Sequence, residues 1–218
     1  MNQVYLASTN PGKLREFQEA AKHLKVELEL LPGLKSLQPP VEDGLTFEEN
    51  ARIKAEYYSR LVPGKPVLAE DSGLSVQSLA DAPGVYSARY AAMLKDGKAS
   101  HTNSSDAENN AALIAQLERM PGEKHAGKYV CVIAVARDGK TLGTFYGGVT
   151  GELLTSPRGS GGFGYDPLFY FPALKKTFAE LAVEEKRRYS HRGNAFRKFL
   201  EWCKSGAHQP SGVASARD

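Results

Sequence analysis

The sequence predicts an α/β fold with a mixed central sheet flanked by helices, its two lobes bracketing an active-site cleft. Two observations carry this reading. Near the N-terminus a short apolar strand runs through a tight turn into helical apolar spacing, the pattern of a strand–turn–helix unit. Further on, two long Val- and aromatic-rich runs are separated by Asp138-Gly139, which is the pattern of an antiparallel hairpin. Together they require a sheet that is neither wholly parallel nor wholly antiparallel.

The first strand covers Val4 to Ala7. Ser8-Thr9-Asn10-Pro11-Gly12-Lys13 then leads into Leu14, Phe17, Ala21 and Leu24, which fall on one helical face. Asn10 suits an N-cap, and Pro11 suits the first helical position because its missing N–H has no helical partner to lose. A proline-rich connector, Leu37 to Val41, precedes Thr46-Phe47-Glu48-Glu49, which has the form of a capping box and starts a second helix. On that helix Phe47, Ala51, Ala55 and Tyr58 share a face, with Asn50 and Lys54 beside it.

Pro66 to Ala69 reads as a strand that ends in Glu70-Asp71-Ser72-Gly73, and Leu74 to Leu79 resumes extended structure before a turn at Ala82-Pro83-Gly84. Ala107, Ala111, Ile114 and Leu117 give Asp106 to Met120 the apolar face of a covering helix, after a polar loop at Ser100 to Ser105. Tyr129 to Ala136 and Thr141 to Tyr146 are the hairpin strands. Gly159 to Pro167 is too glycine-dense for a regular element, and a last helix from near Ser190 to Cys203 buries Ala195, Phe196, Phe199 and Leu200. Residues 1–205 therefore read as a single two-lobed domain, with 206–218 as a flexible tail.

Composition excludes several classes. The chain has 218 residues, 41% hydrophobic and 24% charged, which is globular usage and neither disordered nor fibrous. A formal charge of +3 is too small for a nucleic-acid coat, so no stable nucleic-acid partner is expected. No run approaches the roughly 20 apolar residues of a membrane span, and MNQVYLASTN lacks the marks of a secretion signal, so the expectation is a cytoplasmic protein. Cys131 and Cys203 form no metal or disulfide pattern and read as packed thiols.

Three constellations can carry chemistry. The Ser8 to Lys13 turn delivers a helix N-terminus, whose amides and dipole attract an anion such as phosphate. Lys13 in the first helical turn opposes that dipole, so it either answers a bound anion or points into water. The turn is not a Walker A loop, because Gly12-Lys13 lacks both the earlier glycine and the following Ser/Thr. Glu70 and Asp71 point to opposite faces if they continue the strand, and with Glu42 they offer hard oxygens of the kind that hold Mg²⁺ beside phosphates; otherwise they are solvated loop acids. In the glycine-rich loop, Phe163 and Tyr165 can stack on a base and Asp166 can accept from it, or the aromatics can plug the core. Lys186, Arg187, Arg188, His191 and Arg192 are by default a solvated helix face. Ser190-His191-Arg192, however, supplies donors that suit a 6-oxo purine and mismatch adenine.

Six blocks together resemble the inosine triphosphate pyrophosphatase family: Ser8 to Lys13, Thr46 to Ala51, Leu68 to Leu74, Pro83 to Tyr90, Gly161 to Asp166 and Ser190 to Arg192. They lie in family order from about Val4 to Leu200 and so span nearly the whole chain. The resemblance implies an inosine triphosphate pyrophosphatase-like fold and a homodimeric enzyme that uses Mg²⁺ to hydrolyse ITP, dITP and XTP to the monophosphate and pyrophosphate. By the same likeness Ser8, Thr9, Asn10, Pro11, Gly12 and Lys13 hold phosphate, and Lys54 reaches the nucleotide. Asp71 is the proton acceptor and a metal ligand, with Ser72 beside it and Glu42 as second metal ligand. Phe163, Gly164, Tyr165, Asp166, Lys186, His191 and Arg192 grip the base and orient the nucleotide, with Arg89 at the same cleft. Family members often carry Asp where Glu70 stands, and Glu42-Asp43-Gly44 aligns with the family in two registers one residue apart. Two other functions fit parts of the pattern. A pyrophosphatase for modified pyrimidine triphosphates would share the phosphate logic, and a nucleotide- or RNA-binding module without turnover would share the basic run and aromatic loop.

Overall fold

Strand β1 (Gln3–Leu6) ends after four residues, and helix α1 (Pro11–Ala21) starts almost at once. The turn is closed by Asn10, whose Oδ1 accepts from the amides of Gly12 at 2.9 Å and Lys13 at 3.1 Å, as an N-cap should. The computed structural model describes residues 3–21, 26–97, 102–120, 122 and 125–205, so Leu24 and the expected tail at 206–218 lie outside the described residues.

After β2 (Glu27–Leu30) the chain reaches α2 (Phe47–Ser59), which begins at the expected capping box. Thr46 Oγ1 accepts from the Glu49 amide at 3.1 Å, and Glu49 Oε2 accepts from the Thr46 amide at 3.0 Å. Next come β3 (Val67–Val76), α3 (Tyr90–Asp96) and α4 (Asp106–Leu117). The hairpin follows as β4 (His125–Arg137) and β5 (Lys140–Leu153), and then β6 (Phe169–Phe171) and β7 (Lys176–Thr177). Helices α5 (Val183–Tyr189) and α6 (His191–Ser205) complete the described elements. Asp138 and Gly139 both have positive φ, 51° and 76°, which gives the hairpin the turn that matches strand twist.

Among the described residues the sheet has seven strands in the order β2-β1-β3-β4-β5-β6-β7. β1 runs parallel to β2 and β3, and every later pairing is antiparallel. The sheet is mixed, as the hairpin and the N-terminal unit together require.

Period-two alternation along β3 assigns its side chains to two helical layers. Leu68 joins Val4, Leu6, Cys131 and Ile133 against Phe17 of α1 and Phe196 and Phe199 of α6. Val67 and Ala69 join Val130, Val132 and Ala134 against Ala51, Ala55 and Tyr58 of α2. Farther along, Leu74 and Val76 pack with Leu113 and Leu117 of α4, Tyr129 and Phe169 in a third cluster.

Two expectations need correction. Glu70 and Asp71 do not end a strand, because β3 continues to Val76, paired with β4 throughout, before a 3₁₀ turn at Gln77–Leu79. What ends is the neighbour: β1 pairs with β3 only at Tyr5 and Leu6, and beyond the Ala7 amide, which donates to the Leu68 carbonyl at 2.8 Å, the chain leaves for α1. The acidic pair is therefore interior to its own strand and at the rim of the parallel part of the sheet. The buried face of α4 is also turned: Asn109, Leu113 and Leu117 are buried, while Ala107 and Ala111 are exposed. Asn109 goes inward because its side chain bonds the Ala91 amide at 3.0 Å and the Ala88 carbonyl at 3.2 Å. A polar residue on the inner stripe hid the true face from apolar spacing.

Helix α6 crosses β5 at Gly147, where a Cβ would sit 2.1 Å from the His191 carbonyl oxygen and 2.4 Å from the Ala195 nitrogen. Those are backbone atoms and cannot swing aside. Gly147→Ala is expected to lower stability by about 3 kcal/mol, the cost of forcing mass into a packed contact. At Gly143, where an added Cβ meets the Phe145 ring at 3.1 Å, substitution by Ala is expected to cost about 1 kcal/mol or less. Urea unfolding midpoints of the two variants check this, and equal midpoints would contradict the close crossing.

Candidate active site

Lys13 is the first cation to explain. Its ammonium lies 2.5 Å from Glu70 Oε1, so the anion that answers Lys13 against the helix dipole is a carboxylate of the protein itself. Glu70 sits on the α1/α6 face of β3 with its side chain only 2% exposed. Cys131 Sγ donates to its Oε2 at 3.4 Å, and Arg192 lies 3.8 Å away. Burial alone would raise the Glu70 pKa, but Lys13 and Arg192 outweigh it and hold the group ionised, below the usual carboxylate range. Ser8, Thr9, Asn10 and Lys13 face the cleft; Pro11 and Gly12 are not among its lining residues. Gly12 instead lets the Phe163 ring approach: an added Cβ would lie 2.5 Å from Phe163 Cδ1.

Asp71, one residue on, faces α2. Lys54 Nζ sits between two carboxylates, 2.5 Å from Glu42 Oε2 and 3.0 Å from Asp71 Oδ1. Asn50 donates to Asp71 Oδ2 at 3.4 Å, while its Oδ1 accepts from the Gly44 amide at 2.9 Å, so one amide ties the connector to the strand. Burial raises the Asp71 pKa, and Lys54, shared with Glu42, only partly offsets it. Burial works against the charge of Lys54, but Asp71 and Glu42 outweigh it and raise its pKa.

The basic run divides. Arg188 is exposed and pairs with Glu184, whereas Lys186, His191 and Arg192 are buried, so the expected solvated face is corrected for those three. Helix α5 ends and α6 begins at Ser190, whose Oγ accepts from the Gly193 amide at 3.1 Å, and this break turns the three side chains inward. Lys186 Nζ lies 2.5 Å from Asp166 Oδ2 and 2.6 Å from Glu16 Oε1. Arg192 binds the other Glu16 oxygen at 2.5 Å and donates to Ser72 Oγ at 2.9 Å. Both cations lie over the Phe163 ring, 4.8 Å and 5.4 Å from its centroid.

His191 stacks on Tyr129 at 4.6 Å and 9°, with Nδ1 buried and without a protein partner. Burial, reinforced by the Arg192 charge, pushes its pKa well below the ordinary value, so the imidazole is neutral. In the glycine-rich loop Asp166 Oδ2 also accepts from the Phe163 amide at 2.9 Å, and Gly164 is held by Asp106 at 2.7 Å. Tyr165 is buried in the third core cluster, with its hydroxyl donating to the Ser87 carbonyl at 2.8 Å. Arg89 lines the same cleft, its guanidinium 5.2 Å from the Tyr86 ring centre.

These groups surround one cavity of about 290 Å³, the scale of a small-molecule site. The Ham1 family model matches residues 4–202. The chain belongs to the Ham1 family. Among its relatives, a dITP/XTP pyrophosphatase of Acidobacterium capsulatum is 52% identical over 90% of this chain and 96% of its own length. Another, from Thermus thermophilus, is 45% identical over 93% of this chain and 92% of its own length. The structure of a HAM1 protein from Coxiella burnetii superposes with a TM-score of 0.79 at 38% identity, over 94% of this chain and all of that one. The motif resemblance to inosine triphosphate pyrophosphatases is thereby borne out.

Around this cleft, sequence reasoning missed Tyr129, which lines it, and Glu16, which backs it through Lys186 and Arg192, and it gave Asn50 no task. Glu16 was within reach of the pattern: it lies three residues after Lys13 on α1, hence on the same face. Tyr129 gave no signal, because an aromatic residue in an apolar strand reads as core.

Glu16 is the pivot of the Lys186–Arg192 pair. Burial would raise its pKa, but Arg192 and Lys186 outweigh this and lower it to about 2, well below the usual carboxylate range. The folded pKa is depressed, so the stabilisation is present above about pH 4.5 and is lost as pH falls toward 2. Glu16→Gln is expected to cost about 3 kcal/mol at neutral pH, since two buried cations lose their shared partner. Urea unfolding at pH 7, 4.5 and 3 should show the difference from wild type shrinking below pH 4.5. A constant difference would remove Glu16 from the acid response.

Proposed function

We propose that this protein is a nucleoside triphosphate pyrophosphatase that hydrolyses ITP, dITP and XTP to the nucleoside monophosphate and pyrophosphate with Mg²⁺. The observation that carries the reading is the convergence in one cleft of Lys13, Lys54 and Asp71 with Phe163, His191 and Arg192. The first group has phosphate chemistry and the second base chemistry. The names of the relatives, dITP/XTP pyrophosphatases, support the same substrate class.

The carboxylates suit the metal. One ammonium already spans Glu42 and Asp71 at 2.5 Å and 3.0 Å, so a single small cation can be shared by both. Mg²⁺ takes hard oxygens, usually one or two carboxylates together with substrate phosphates. Among the described residues no group of three or more His, Cys, Asp or Glu is placed to hold an ion. Glu42 and Asp71 would hold it, and when bound it would supply neutralisation of the phosphate charge.

Asp71 takes the proton of the attacking water. Asn50 donates to its Oδ2 at 3.4 Å and fixes its carboxyl plane. Lys13 and Lys54 offset charge on the triphosphate, and the Ser8 to Asn10 turn positions it. On the other side Phe163 offers a ring to the base, while His191 Nδ1 and Arg192 Nε are buried without protein partners. A 6-oxo group accepts from such donors, whereas the amino group of adenine leaves them unpaired. The site belongs to a single two-lobed domain, working as a homodimer in the cytoplasm; among the described residues no helix is long and apolar enough to cross a membrane.

With Mg²⁺, pyrophosphate release from ITP, dITP and XTP is expected to exceed that from ATP by about 100-fold, and the dITP/XTP names of the relatives lead us to expect it to exceed that from GTP as well. Asp71→Asn should lower turnover about 1,000-fold, within the usual range for a lost general base. Equal rates on ATP and ITP would overturn the selectivity. Turnover confined to modified pyrimidine triphosphates would favour the pyrimidine reading, and tight binding with no pyrophosphate would favour a binding module.

A further inference from the structure

Lys54 stands where a cation shared by Glu42 and Asp71 would stand. Its Nζ is within ion-pair distance of both carboxylates, and its side chain is only 12% exposed. The arrangement is not a loose surface pair. The capping box fixes the start of α2, and Asn50, one turn before Lys54, engages the remaining oxygen of Asp71. Two carboxylates facing each other in a part-buried site repel unless a cation lies between them, and here the protein provides one.

We infer that Lys54 is a resident substitute for the divalent cation, keeping Glu42 and Asp71 closed to metal until a triphosphate arrives. The inference deepens the reading given above and rests on it. A metal ion entering alone must expel the ammonium from both carboxylates and leave Lys54 buried without a counter-ion, which is costly. A triphosphate in the cleft removes that cost, because its oxygens accept Lys54, which already faces the cavity. Metal and triphosphate therefore bind with positive coupling, and linkage makes the coupling equal in both directions. Lys13 differs: if it turns to phosphate, its partner Glu70 keeps Arg192 3.8 Å away and the Cys131 thiol.

The test titrates the full-length protein with Mn²⁺, following free ion by electron paramagnetic resonance. Without nucleotide, Lys54→Met is expected to bind Mn²⁺ about 10-fold or more tightly than wild type, a coupling of ordinary size. Lys54→Arg, which keeps the charge, should stay weak, and adding Glu42→Gln to Lys54→Met should abolish the gain. A non-hydrolysable α,β-methylene analogue of ITP should tighten Mn²⁺ binding to wild type by about 10-fold or more. If Lys54→Met does not fold, as judged by circular dichroism, Lys54→Gln makes the same comparison. Equal Mn²⁺ affinity for wild type and the uncharged variant without nucleotide would overturn the inference while leaving ITP hydrolysis untouched. Absence of ITP hydrolysis alongside the predicted Mn²⁺ pattern would instead overturn the functional reading.

Discussion

A charge taken out of water must meet an opposite charge, and this requirement organises the cleft. Lys13, Lys54, Lys186 and Arg192 all approach the sheet from helices, and each is met by carboxylates. Glu70 answers Lys13, and Glu42 and Asp71 answer Lys54. Glu16 holds both Lys186 and Arg192, with Asp166 completing the first of these. Most members of the network hold more than one partner, so the groups lock one another in place. The same pairing keeps the cleft close to neutral.

The sheet makes that network possible. β1 stops at Leu6 while β3 runs on to Val76, which opens one edge of β3 just where its polar residues begin. Strand alternation then sends Glu70 toward α1 and α6 and Asp71 toward α2. Neighbouring residues thus serve different partners. Glu70 secures the helix side in an ionised state, and Asp71, with its pKa raised by burial, faces the connector that brings Glu42. The α5–α6 break at Ser190 brings Lys186 and Arg192 to the same point, against Glu16 of α1. Phe163 closes the gap by packing on Gly12 beneath both cations. The Lys13–Glu70 pair and the Lys186–Arg192–Glu16 cluster therefore meet through α1 in one connected structure.

Much of this was legible in residue order. The N-cap at Asn10, the capping box at Thr46, the hairpin turn at Asp138-Gly139 and the buried face of α6 are local patterns, and each appears where its chemistry requires. The glycine-rich loop was recognised as irregular, but spacing alone did not separate Phe163, which meets the cations, from Tyr165, whose ring is core. Glu16 was passed over because a glutamate on an amphipathic helix is ordinary; only the arrival of Lys186 and Arg192 from more than 160 residues away gives it a task. The face of α4 was misjudged because the inward Asn109 pairs with backbone groups of another segment.

Residue order alone sets the strand–turn–helix start, the helix caps, the hairpin and the family likeness, because these depend on neighbours within a few residues or on motif identity. Tertiary structure alone decided which charges pair, that the basic run turns inward, and that Lys13 answers Glu70 and not solvent. The reason is that ion pairing and burial are set by distances between elements remote along the chain, which the backbone's local preferences do not specify.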